Sequence, residues 1–565
     1  MTFLGWFEVS IVLAAVVASA WPLSHFIAAV FAGRKTFLAP LENALYKLAG
    51  VDPANEQNWL SYALSMLVFS TLCFLALYLI QRCQGFLPLN PLSQPSIAPD
   101  LAFNTAISFI TNANWQAYAG ETTMSHFTQM VGLTTNNFLD SAVAMAMAVA
   151  LIRAFVRREA DAIGNFWVDL TRSTLYVLLP LSMVVALVLI ALGIPQTLHG
   201  AVEASTLEGA RQSIAVGPVA SQEAIKLLGN NGGGFFNANS AHPFENPSAL
   251  SNMIENWSQL ILPTALVLAF GRMVGDRRQG TTLLAVMAVI FLGSLFLLYR
   301  AETAGNPLFA AVGLDPAAGN FEGKDLRFGQ SGAALFAVAT TATGTGAANA
   351  TFDSMTPVGG MIAMFNLLTG CIAPGGVGTG LYSILLFAVI AVFIGGLMVG
   401  RTPEYLGKKI EAYEIRLAIL AILVQPALTL VFGAVSANLP VALASLGNTG
   451  PHGLSEILYA YASTAADNGS AFGGLSVNTG WFNVTTGFVL FFGRFAHAIP
   501  VLTMAGSLAR KRRIAESAGT LPTHGPLFAS LLLGVILIVV LLEFFPALAL
   551  GPIAEQLLLA EGKMF

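Results

Sequence analysis

Charged residues are scarce in this 565-residue chain: Asp, Glu, Lys and Arg together make up 10% of it, whereas soluble proteins carry about 25%. Hydrophobic residues make up 55%. This composition excludes an ordinary soluble globular protein and indicates a polytopic membrane protein. The net charge of -4 and the lack of a basic tail give no sign of a nucleic-acid partner.

Cysteine is rare and the common catalytic motifs are missing. The three cysteines, Cys73, Cys83 and Cys371, have no CxxC spacing, which favours packing thiols over a disulfide or metal framework. The chain has no GxxxxGK(S/T) phosphate loop, no HExxH metalloprotease motif and no nucleophile elbow. It also has no large charged segment that could hold a nucleotide. We therefore expect no catalysis, and no ATP hydrolysis, by this chain itself.

Long apolar runs are what the chain has in abundance. Ten of them have roughly the 20 residues that a helix needs to cross a bilayer. They lie near residues 4–31, 60–81, 128–155, 168–193, 249–271, 280–299, 354–400, 414–435, 481–507 and 526–550. The first run lacks the basic segment and the cleavage site of a secretory signal peptide, so we interpret it as a membrane span that stays in the protein. The prediction is an all-α membrane protein with about ten spans.

A polar cluster recurs four times between these spans. The clusters are Thr111-Asn-Ala-Asn-Trp-Gln116, Asn230-Asn-Gly-Gly-Gly-Phe235, Thr343-Gly-Thr-Gly-Ala-Ala-Asn349 and Asp467-Asn-Gly-Ser-Ala-Phe472. Each follows a stretch too short to cross a bilayer, near 99–111, 219–229, 331–343 and 455–466. Positions 112, 232, 346 and 469 are 120, 114 and 123 residues apart. This near-constant period indicates an internal repeat of span, half-helix, polar hairpin and span.

The repeat predicts how the chain is divided around a central pore. The predicted segments are an extra span with its loop (1–58), four repeats (59–158, 159–279, 280–410 and 411–514) and an extra C-terminal span (515–565). Of the 26 Lys and Arg residues, 18 lie on one side of the ten-span arrangement, seven lie on the other, and Arg494 lies within a span. Because positive charge marks the cytoplasmic side, both termini and all four hairpins are expected outside.

One apolar run is too long for a single straight helix. The 48 residues from Ser354 to Arg401 would make roughly 72 Å of helix, more than twice a bilayer. The stretch Pro374-Gly-Gly-Val-Gly-Thr-Gly380 is the predicted break. We expect one span interrupted by an intramembrane loop, with Gly375, Gly376 and Gly378 forming a gate or constriction below the pore. An ordinary cytoplasmic loop after a short span is the alternative.

The four hairpins suggest a cation site. Carbonyl and amide oxygens arranged around an axis can replace the hydration shell of a cation. Few carboxylates are present, which suits a monovalent ion better than calcium or magnesium. The first hairpin lacks the glycines of the others, so the ring is expected to be unequal. Asp467, the one acid in the clusters, is expected either to attract cations at the mouth or to cap its hairpin.

Arg494 and Gln116 are the other two candidate pore residues. A charge as deep in a span as Arg494 is costly and usually functional. We expect it below the selectivity filter that the hairpin oxygens would form, where it repels a cation that would otherwise leak through. A structural pairing with a carboxylate is the alternative. The amide oxygen of Gln116 either lines the pore mouth or satisfies loop backbone.

Several long strings in the chain resemble one family. They are Asn231-Gly-Gly-Gly-Phe-Phe-Asn-Ala-Asn-Ser240, His242-Pro-Phe-Glu-Asn-Pro247, Gly400-Arg-Thr-Pro-Glu-Tyr-Leu-Gly-Lys-Lys409, Gly450-Pro-His-Gly453, Asn468-Gly-Ser-Ala-Phe472 and Gly519-Thr-Leu-Pro-Thr-His-Gly-Pro-Leu-Phe528. Through the whole chain the sequence resembles the KdpA family, the potassium-binding subunits of the bacterial potassium-transporting Kdp ATPase. That family belongs to a superfamily of potassium transporters with four pore-loop repeats.

The resemblance implies a role for particular residues. It implies a filter of Asn112, Asn114, Asn230, Asn231, Gly232, Thr345, Gly346, Asp467, Asn468 and Gly469. Gln116 would be a mouth residue and Arg494 the buried cation under the filter. Asp467 and Thr345 stand where the family is expected to have Asn and Cys. Arg401, Lys408 and Lys409 either touch the subunit KdpB or are solvated charges on the inner side.

The resemblance also implies the setting of the protein. It would take potassium from the periplasmic or extracellular side of a bacterial inner membrane and pass it through an intramembrane tunnel to KdpB, the P-type ATPase subunit. KdpC and KdpF would complete the complex, and no cofactor is implied beyond the transported ion. A stand-alone channel or ion-coupled symporter of the same superfamily is the first alternative. A membrane-embedded enzyme is the second, for which Arg494 and His497 are the available titratable groups.

Overall fold

The computed structural model describes residues 1–514 and 520–563, and almost all of its regular structure is helical. Residues 515–519, which include Gly519 at the start of the last motif, and residues 564–565 lie outside the described residues. In chain order the helices are α1 (Phe3–Phe31), α2 (Ala39–Ala49), α3 (Trp59–Cys83), α4 (Pro99–Ile110), α5 (Gly120–Thr123), α6 (Thr135–Val156), α7 (Phe166–Arg172), α8 (Leu179–Ala191), α9 (Val219–Gly229), α10 (Ala249–Met273), α11 (Arg277–Ala304), α12 (Gly329–Ala342), α13 (Pro357–Leu368), α14 (Thr379–Val399), α15 (Ala412–Ser436), α16 (Pro440–Leu443), α17 (Gly450–Ala465), α18 (Gly480–Arg510), α19 (Pro526–Leu548) and α20 (Ala554–Ala560).

Within the described residues, ten helical segments are long and apolar enough to cross a membrane, as the sequence predicts. They are Phe3–Phe31, Trp59–Phe86, Thr128–Val156, Phe166–Ala191, Ala249–Met273, Arg277–Ala310, Thr379–Met398, Ala412–Ser436, Gly480–Arg510 and Pro526–Ala560. The third and fourth are continuous through π-helical turns at Thr128–Thr134 and Ser173–Leu178. The protein is therefore a multi-pass membrane protein.

The order of long and short helices repeats four times. The short helices α4, α9, α12 and α17 each lie between two long ones and end where a polar cluster begins, as predicted. α1 precedes this series and α19 follows it. The domain limits at 58, 158, 410 and 514 fall between helices, whereas the limit at 279 falls in the first turn of α11, and all five remain a prediction.

Long helices of two kinds surround the short ones. The later long helix of each repeat, α6, α10, α14 or α18, is largely buried and packs on the short helices or on another helix of this set. The earlier long helices turn leucines outward, for example Leu72 of α3, Leu187 of α8 and Leu423 of α15. Exposed leucines on a long helix suit contact with lipid chains.

The long apolar run after the third hairpin is broken, as predicted. α13 ends at Leu368 and α14 begins at Thr379, so the break starts about five residues before the expected position. The intervening loop is buried, and its Ala373 and Gly375 donate backbone hydrogen bonds to the carbonyl of Ala342 at 3.1 Å each. Protein thus covers this irregular backbone, which is the condition for its survival at membrane depth.

Three antiparallel two-stranded ribbons, which the sequence analysis did not predict, lie in connections outside the spans. Their strands are β1 (Gln57–Asn58) with β2 (Ala162–Gly164), β3 (Ala201–Ser205) with β4 (Arg211–Ala215), and β5 (Glu404–Tyr405) with β6 (Lys408–Lys409).

The three cysteines are free, as expected. Only Cys371 is fully buried, whereas Cys83 is exposed and does not fit the description of a packing thiol.

Replacing Gly375 with Ala is expected to destabilise the broken span. Gly375 has a φ of +87°, where a side chain costs about 1–2 kcal/mol, and its new Cβ would overlap the Cα of Gly380. We expect a lower thermal unfolding temperature in detergent, measured by intrinsic fluorescence. Gly534→Ala in α19 is the matched control, because nothing lies within 4 Å of its added Cβ. Equal unfolding temperatures for the two variants would contradict this account.

Candidate functional site

The first and second hairpins lie directly against each other. The backbone N–H of Gly232 donates to the carbonyl of Ala113 at 3.2 Å. The side-chain amide of Asn112 donates to the carbonyl of Asn230 at 2.5 Å. Two hairpins that are 118 residues apart in sequence therefore share hydrogen bonds in the buried centre of the protein.

The remaining contacts close the four hairpins into a ring. The side chain of Asn230 donates to Thr345 Oγ1 at 2.9 Å, which joins the second hairpin to the third. Asn468 donates to the carbonyl of Thr340 at 2.8 Å, which joins the fourth hairpin to the end of α12. Gly469 of the fourth hairpin lies so close to the carbonyl of Ala113 that a Cβ there would overlap it. Each hairpin thus touches the next around one axis.

Each hairpin begins with a left-handed residue at the end of its short helix. Asn112, Asn230, Gly344 and Asp467 have φ values of +74°, +54°, +70° and +54°. A left-handed residue is the usual way in which an α-helix ends. The C-termini of α4, α9, α12 and α17 consequently adjoin the ring. Their partial negative charge favours a cation there.

Many of the asparagine side chains hold the ring together. Both the Nδ2 and the Oδ1 atoms of Asn112, Asn231 and Asn468 make hydrogen bonds within the protein. By contrast, Oδ1 of Asn114 and Oδ1 of Asn230 are buried and have no hydrogen-bond partner among the described residues. Of these five asparagines, Asn114 and Asn230 are therefore the two whose side-chain oxygens are not used in hydrogen bonds within the described part of the protein.

Arg494 lies beside the fourth hairpin. Its Nη1 is 3.6 Å from Oδ2 of Asp467 and donates to the hydroxyl of Tyr382 at 3.3 Å. The arginine is only 2% exposed. Asp467 therefore faces Arg494 instead of standing alone at the mouth. The alternative expectation for Arg494, a pairing with a carboxylate, agrees with this contact, and its role in repelling a cation below the filter stays a prediction.

Asp140 of α6 is a site residue that the sequence analysis missed. It accepts hydrogen bonds from Asn231 at 3.1 and 3.3 Å, and its Oδ2 lies 3.5 Å from Nδ2 of Asn114. It also interacts electrostatically with Arg494. The available signal was an acid inside an apolar span, the same signal that identified Arg494.

The second hairpin is supported by a buried ion-pair network. Lys226 of α9 lies 2.6 Å from Glu223 and 2.7 Å from Glu245, and all three side chains are buried. Glu245 also accepts a hydrogen bond from the backbone N–H of Phe236 at 2.8 Å. Lys226 is one of the seven Lys and Arg residues that the sequence analysis places on the outer side, but the structure pairs it with two acids inside the protein.

The third and fourth hairpins have acids of their own behind them. Glu302 of α11 pairs with the buried Lys324 at 2.7 Å and accepts from the backbone N–H of Thr356 at 2.9 Å. Glu456 of α17 accepts from the backbone N–H of Asn448 at 2.9 Å. These acids fix the segments that enter and leave the hairpins.

Comparison with known proteins identifies the family. The family described as KdpA, Potassium-transporting ATPase A subunit, matches residues 10–557. This chain belongs to the KdpA family. A protein of Allorhizobium ampelinum named "Potassium-transporting ATPase potassium-binding subunit" is 56% identical over 565 residues, which cover 99% of each chain. A protein of Rhizobium rhizogenes with the same name is 56% identical over 569 residues and the full length of both chains.

A solved structure shares the fold of this KdpA-family chain. The potassium transporter TrkH from Vibrio parahaemolyticus superposes with a TM-score of 0.50 and 14% sequence identity. The match covers 87% of this chain and 94% of that one. At this identity the comparison supports the architecture of the KdpA fold and nothing further.

Gln116 ties the first hairpin to the second. Its Oε1 accepts from the backbone N–H of Gly234 at 3.1 Å, and its Nε2 donates to the carbonyl of Gly234 at 3.1 Å. Of the two expectations for this residue in the KdpA chain, the satisfaction of loop backbone fits these contacts.

The glycines of the broken span lie below the third hairpin. A Cβ on Gly376 would be 2.9 Å from the carbonyl of Thr343, and a Cβ on Gly378 would overlap the carbonyl of Ala144 in α6. On its other side this loop reaches a cavity of about 390 Å³, which Pro374 lines together with residues of α1, α10 and α11.

The three basic residues expected to contact KdpB, Arg401, Lys408 and Lys409, differ in their exposure. Lys408 is buried, and its Nζ donates to the carbonyl of Lys511 at 2.7 Å and to that of Arg157 at 2.5 Å. It therefore holds two loops together and is not available to a partner, which corrects the expectation. Lys409 is exposed, and Arg401 is partly exposed.

His497, the second titratable group of the enzyme alternative, hydrogen-bonds the carbonyl of Ala421 at 3.1 Å.

Replacing Lys226 with Met is expected to destabilise the protein strongly. The change leaves Glu223 and Glu245 buried without their cation, and breaking a buried pair from one side costs about 3–5 kcal/mol. We expect a large fall in the thermal unfolding temperature in detergent.

Two further variants test the cause. Lys409→Met removes a lysine from the exposed pair with Glu411 and should have almost no effect, since exposed pairs contribute about 0–1 kcal/mol. Adding Glu223→Gln and Glu245→Gln to Lys226→Met should restore part of the lost stability. An unchanged unfolding temperature in Lys226→Met would show that this network does not support the hairpin.

Proposed function

We propose that this chain is the potassium-binding subunit of an ATP-driven potassium uptake complex and that the ring of four hairpins is its selectivity filter. The observation that carries the proposal is the closed ring of hairpin contacts at the ends of four short helices. The names of the relatives support it, since both are potassium-binding subunits of potassium-transporting ATPases.

The chemistry of the ring fits an alkali-metal ion. Four helix C-termini supply partial negative charge, and backbone carbonyls supply neutral oxygens. The buried Oδ1 atoms of Asn114, Asn230 and Asp467, which lack hydrogen-bond partners among the described residues, add oxygens without a cluster of carboxylates. Divalent ions usually recruit several acids, so a monovalent ion fits better.

Arg494 and the broken span would direct the ion sideways. A buried guanidinium beside the fourth hairpin repels a cation that continues along the axis. The glycine loop lies between the third hairpin and the lateral cavity at Pro374. We propose that this loop gates the path from the filter to that cavity, which begins the tunnel to the ATPase subunit KdpB.

The proposed setting is a bacterial inner membrane with the filter mouth and both termini on the periplasmic side. The excess of Lys and Arg on the opposite side of the spans supports this orientation. KdpB would hydrolyse ATP, and KdpC and KdpF would complete the complex. The present subunit would be non-hydrolytic, and Arg401 and Lys409 remain candidate contacts to KdpB.

A stand-alone channel or symporter is the second candidate, favoured by the shared architecture with a potassium transporter. Expression of the chain alone in a potassium-uptake-deficient bacterium separates the two functions. The proposed subunit should give no robust potassium flux without its partners, and such flux would favour the channel or symporter.

Gly232→Asp is expected to weaken or broaden ion selection. The new side chain would overlap the carbonyl of Ala113 and would add a second carboxylate to the ring, besides that of Asp467. Potassium-stimulated ATPase activity of the purified complex should need at least about tenfold more potassium, which corresponds to about 1.4 kcal/mol.

Gly209→Asp is the control for that experiment. It adds the same charge at an exposed glycine where nothing lies within 4 Å of the added Cβ. Its potassium dependence should match that of the unmodified complex. An unchanged dependence in Gly232→Asp would remove Gly232 from the filter.

Arg494→Ala is expected to open a passive leak, because it removes the cation that blocks the axis. Potassium efflux from vesicles that contain the complex, measured without ATP, should rise, whereas Arg494→Lys should stay tight because it keeps the charge. Arg494→Ala combined with Asp467→Asn avoids leaving Asp467 unpaired and should also leak. Tight vesicles with both alanine variants would end the gating proposal.

A further inference from the structure

A second cavity, of about 560 Å³, lies at the end of the bundle opposite to the proposed filter mouth. The ends of α1, α6 and α10 and the start of α11 form its wall. Five of its lining residues are basic: His25, Arg34, Arg153, Arg272 and Arg277. No acidic residue is among the described residues that line it.

Most of this positive charge has no carboxylate partner. Arg153 pairs with Asp169 at 2.5 Å. Arg272, however, donates to Ser24 Oγ at 2.8 Å and to Nε2 of His25 at 2.6 Å, and both acceptors are neutral. Arg34 and Arg277 make no ion pair with any described residue. Cations placed together without acids repel each other and attract an anion.

The cavity opens at the level of a membrane surface. The guanidinium of Arg272 lies 4.6 Å above the ring of Trp21, which is 47% exposed on the outer face of α1. Tryptophans in this position belong to the belt at the boundary between lipid chains and headgroups. Phe31 and Ile152 give the same cavity apolar walls. A ligand here meets arginines and hydrocarbon together.

We propose that this cavity binds the phosphate group of an anionic phospholipid. Arg34, Arg272 and Arg277 would donate to the phosphate oxygens, and the apolar walls would accept the start of an acyl chain. Basic pockets between membrane helices on the cytoplasmic side suit such headgroups. A free phosphate ion gains nothing from the apolar walls, so a lipid fits the cavity better. The site is separate from the filter, and only the choice of leaflet rests on the proposed orientation.

The test measures lipid retained by the purified full-length chain. The protein is exchanged into mixed vesicles of phosphatidylglycerol and phosphatidylcholine, extracted gently, and weighed by native mass spectrometry. Arg34→Gln, Arg272→Gln and Arg277→Gln together should lower phosphatidylglycerol retention at least about tenfold, because each arginine near an anionic surface adds to the attraction. Phosphatidylcholine retention should not change.

The matched control removes three arginines from the same face outside the cavity: Arg278→Gln, Arg416→Gln and Arg512→Gln. It should retain phosphatidylglycerol like the unmodified chain. Should the cavity triple variant fail to fold, the single exposed change Arg277→Gln serves instead, with a smaller expected loss. Equal retention in the cavity and control variants would overturn the proposal.

A second readout uses Trp21. The fluorescence of Trp21 is the difference between the unmodified chain and Trp21→Phe. Brominated phosphatidylglycerol should quench this fluorescence more than brominated phosphatidylcholine does. Inorganic phosphate that displaces the lipid at millimolar concentration would indicate a free-phosphate site and overturn the proposal. Loss of the lipid when the partner subunits bind would assign the cavity to an acidic protein segment and would also overturn it.

Discussion

Backbone groups that leave water must find partners inside the protein, and the four hairpins meet this constraint through their own short helices and through one another. The hydrogen bond from Gly232 to Ala113 and the side-chain bonds of Asn112 and Asn230 run between hairpins, and Asn468 of the fourth hairpin donates to Thr340 in α12. No hairpin is complete alone. This mutual dependence explains how irregular backbone survives in the buried centre of a membrane protein.

The same constraint shapes the chemistry of the site. Because Asn112, Asn231 and Asn468 use both side-chain polar atoms in hydrogen bonds within the protein, they add no unpartnered side-chain oxygen to the proposed ion site. The amide oxygens of Asn114 and Asn230, which have no partner in the described part of the chain, are neutral, and neutral oxygens can match a hydration shell without binding the ion too tightly to release it. The strong charges lie behind or beside the ring, in the Lys226 network and in the Asp467 and Arg494 pair. They hold the geometry while the ring itself stays nearly neutral.

The unequal sequences of the repeats give the molecule a direction. Among the described residues, only the third repeat has a glycine-rich break in its later span, and this break lies between the third hairpin and the lateral cavity. The fourth repeat carries Arg494 beside its hairpin. A symmetric ring would favour conduction along its axis. In the proposed function, Arg494 blocks that axis and the broken span opens the wall, so the ion is directed sideways to the neighbouring subunit.

Much of this protein was determined by its sequence alone. The length and number of the spans, the short helices, the positions of the hairpins and the break near Pro374 all follow from apolar run length and from glycine and proline, which act locally. The family followed from long specific strings such as Asn231–Ser240.

Only the tertiary structure decided which polar atoms meet. Asp140 meets the first two hairpins, and Asp467 meets Arg494, through contacts between segments that are distant in sequence. Lys226 and Lys408 are buried because other segments of the chain surround them. A charge on a loop and a charge inside a packed bundle look the same in a one-dimensional chain, because the burial that distinguishes them comes from neighbours that the local sequence does not name.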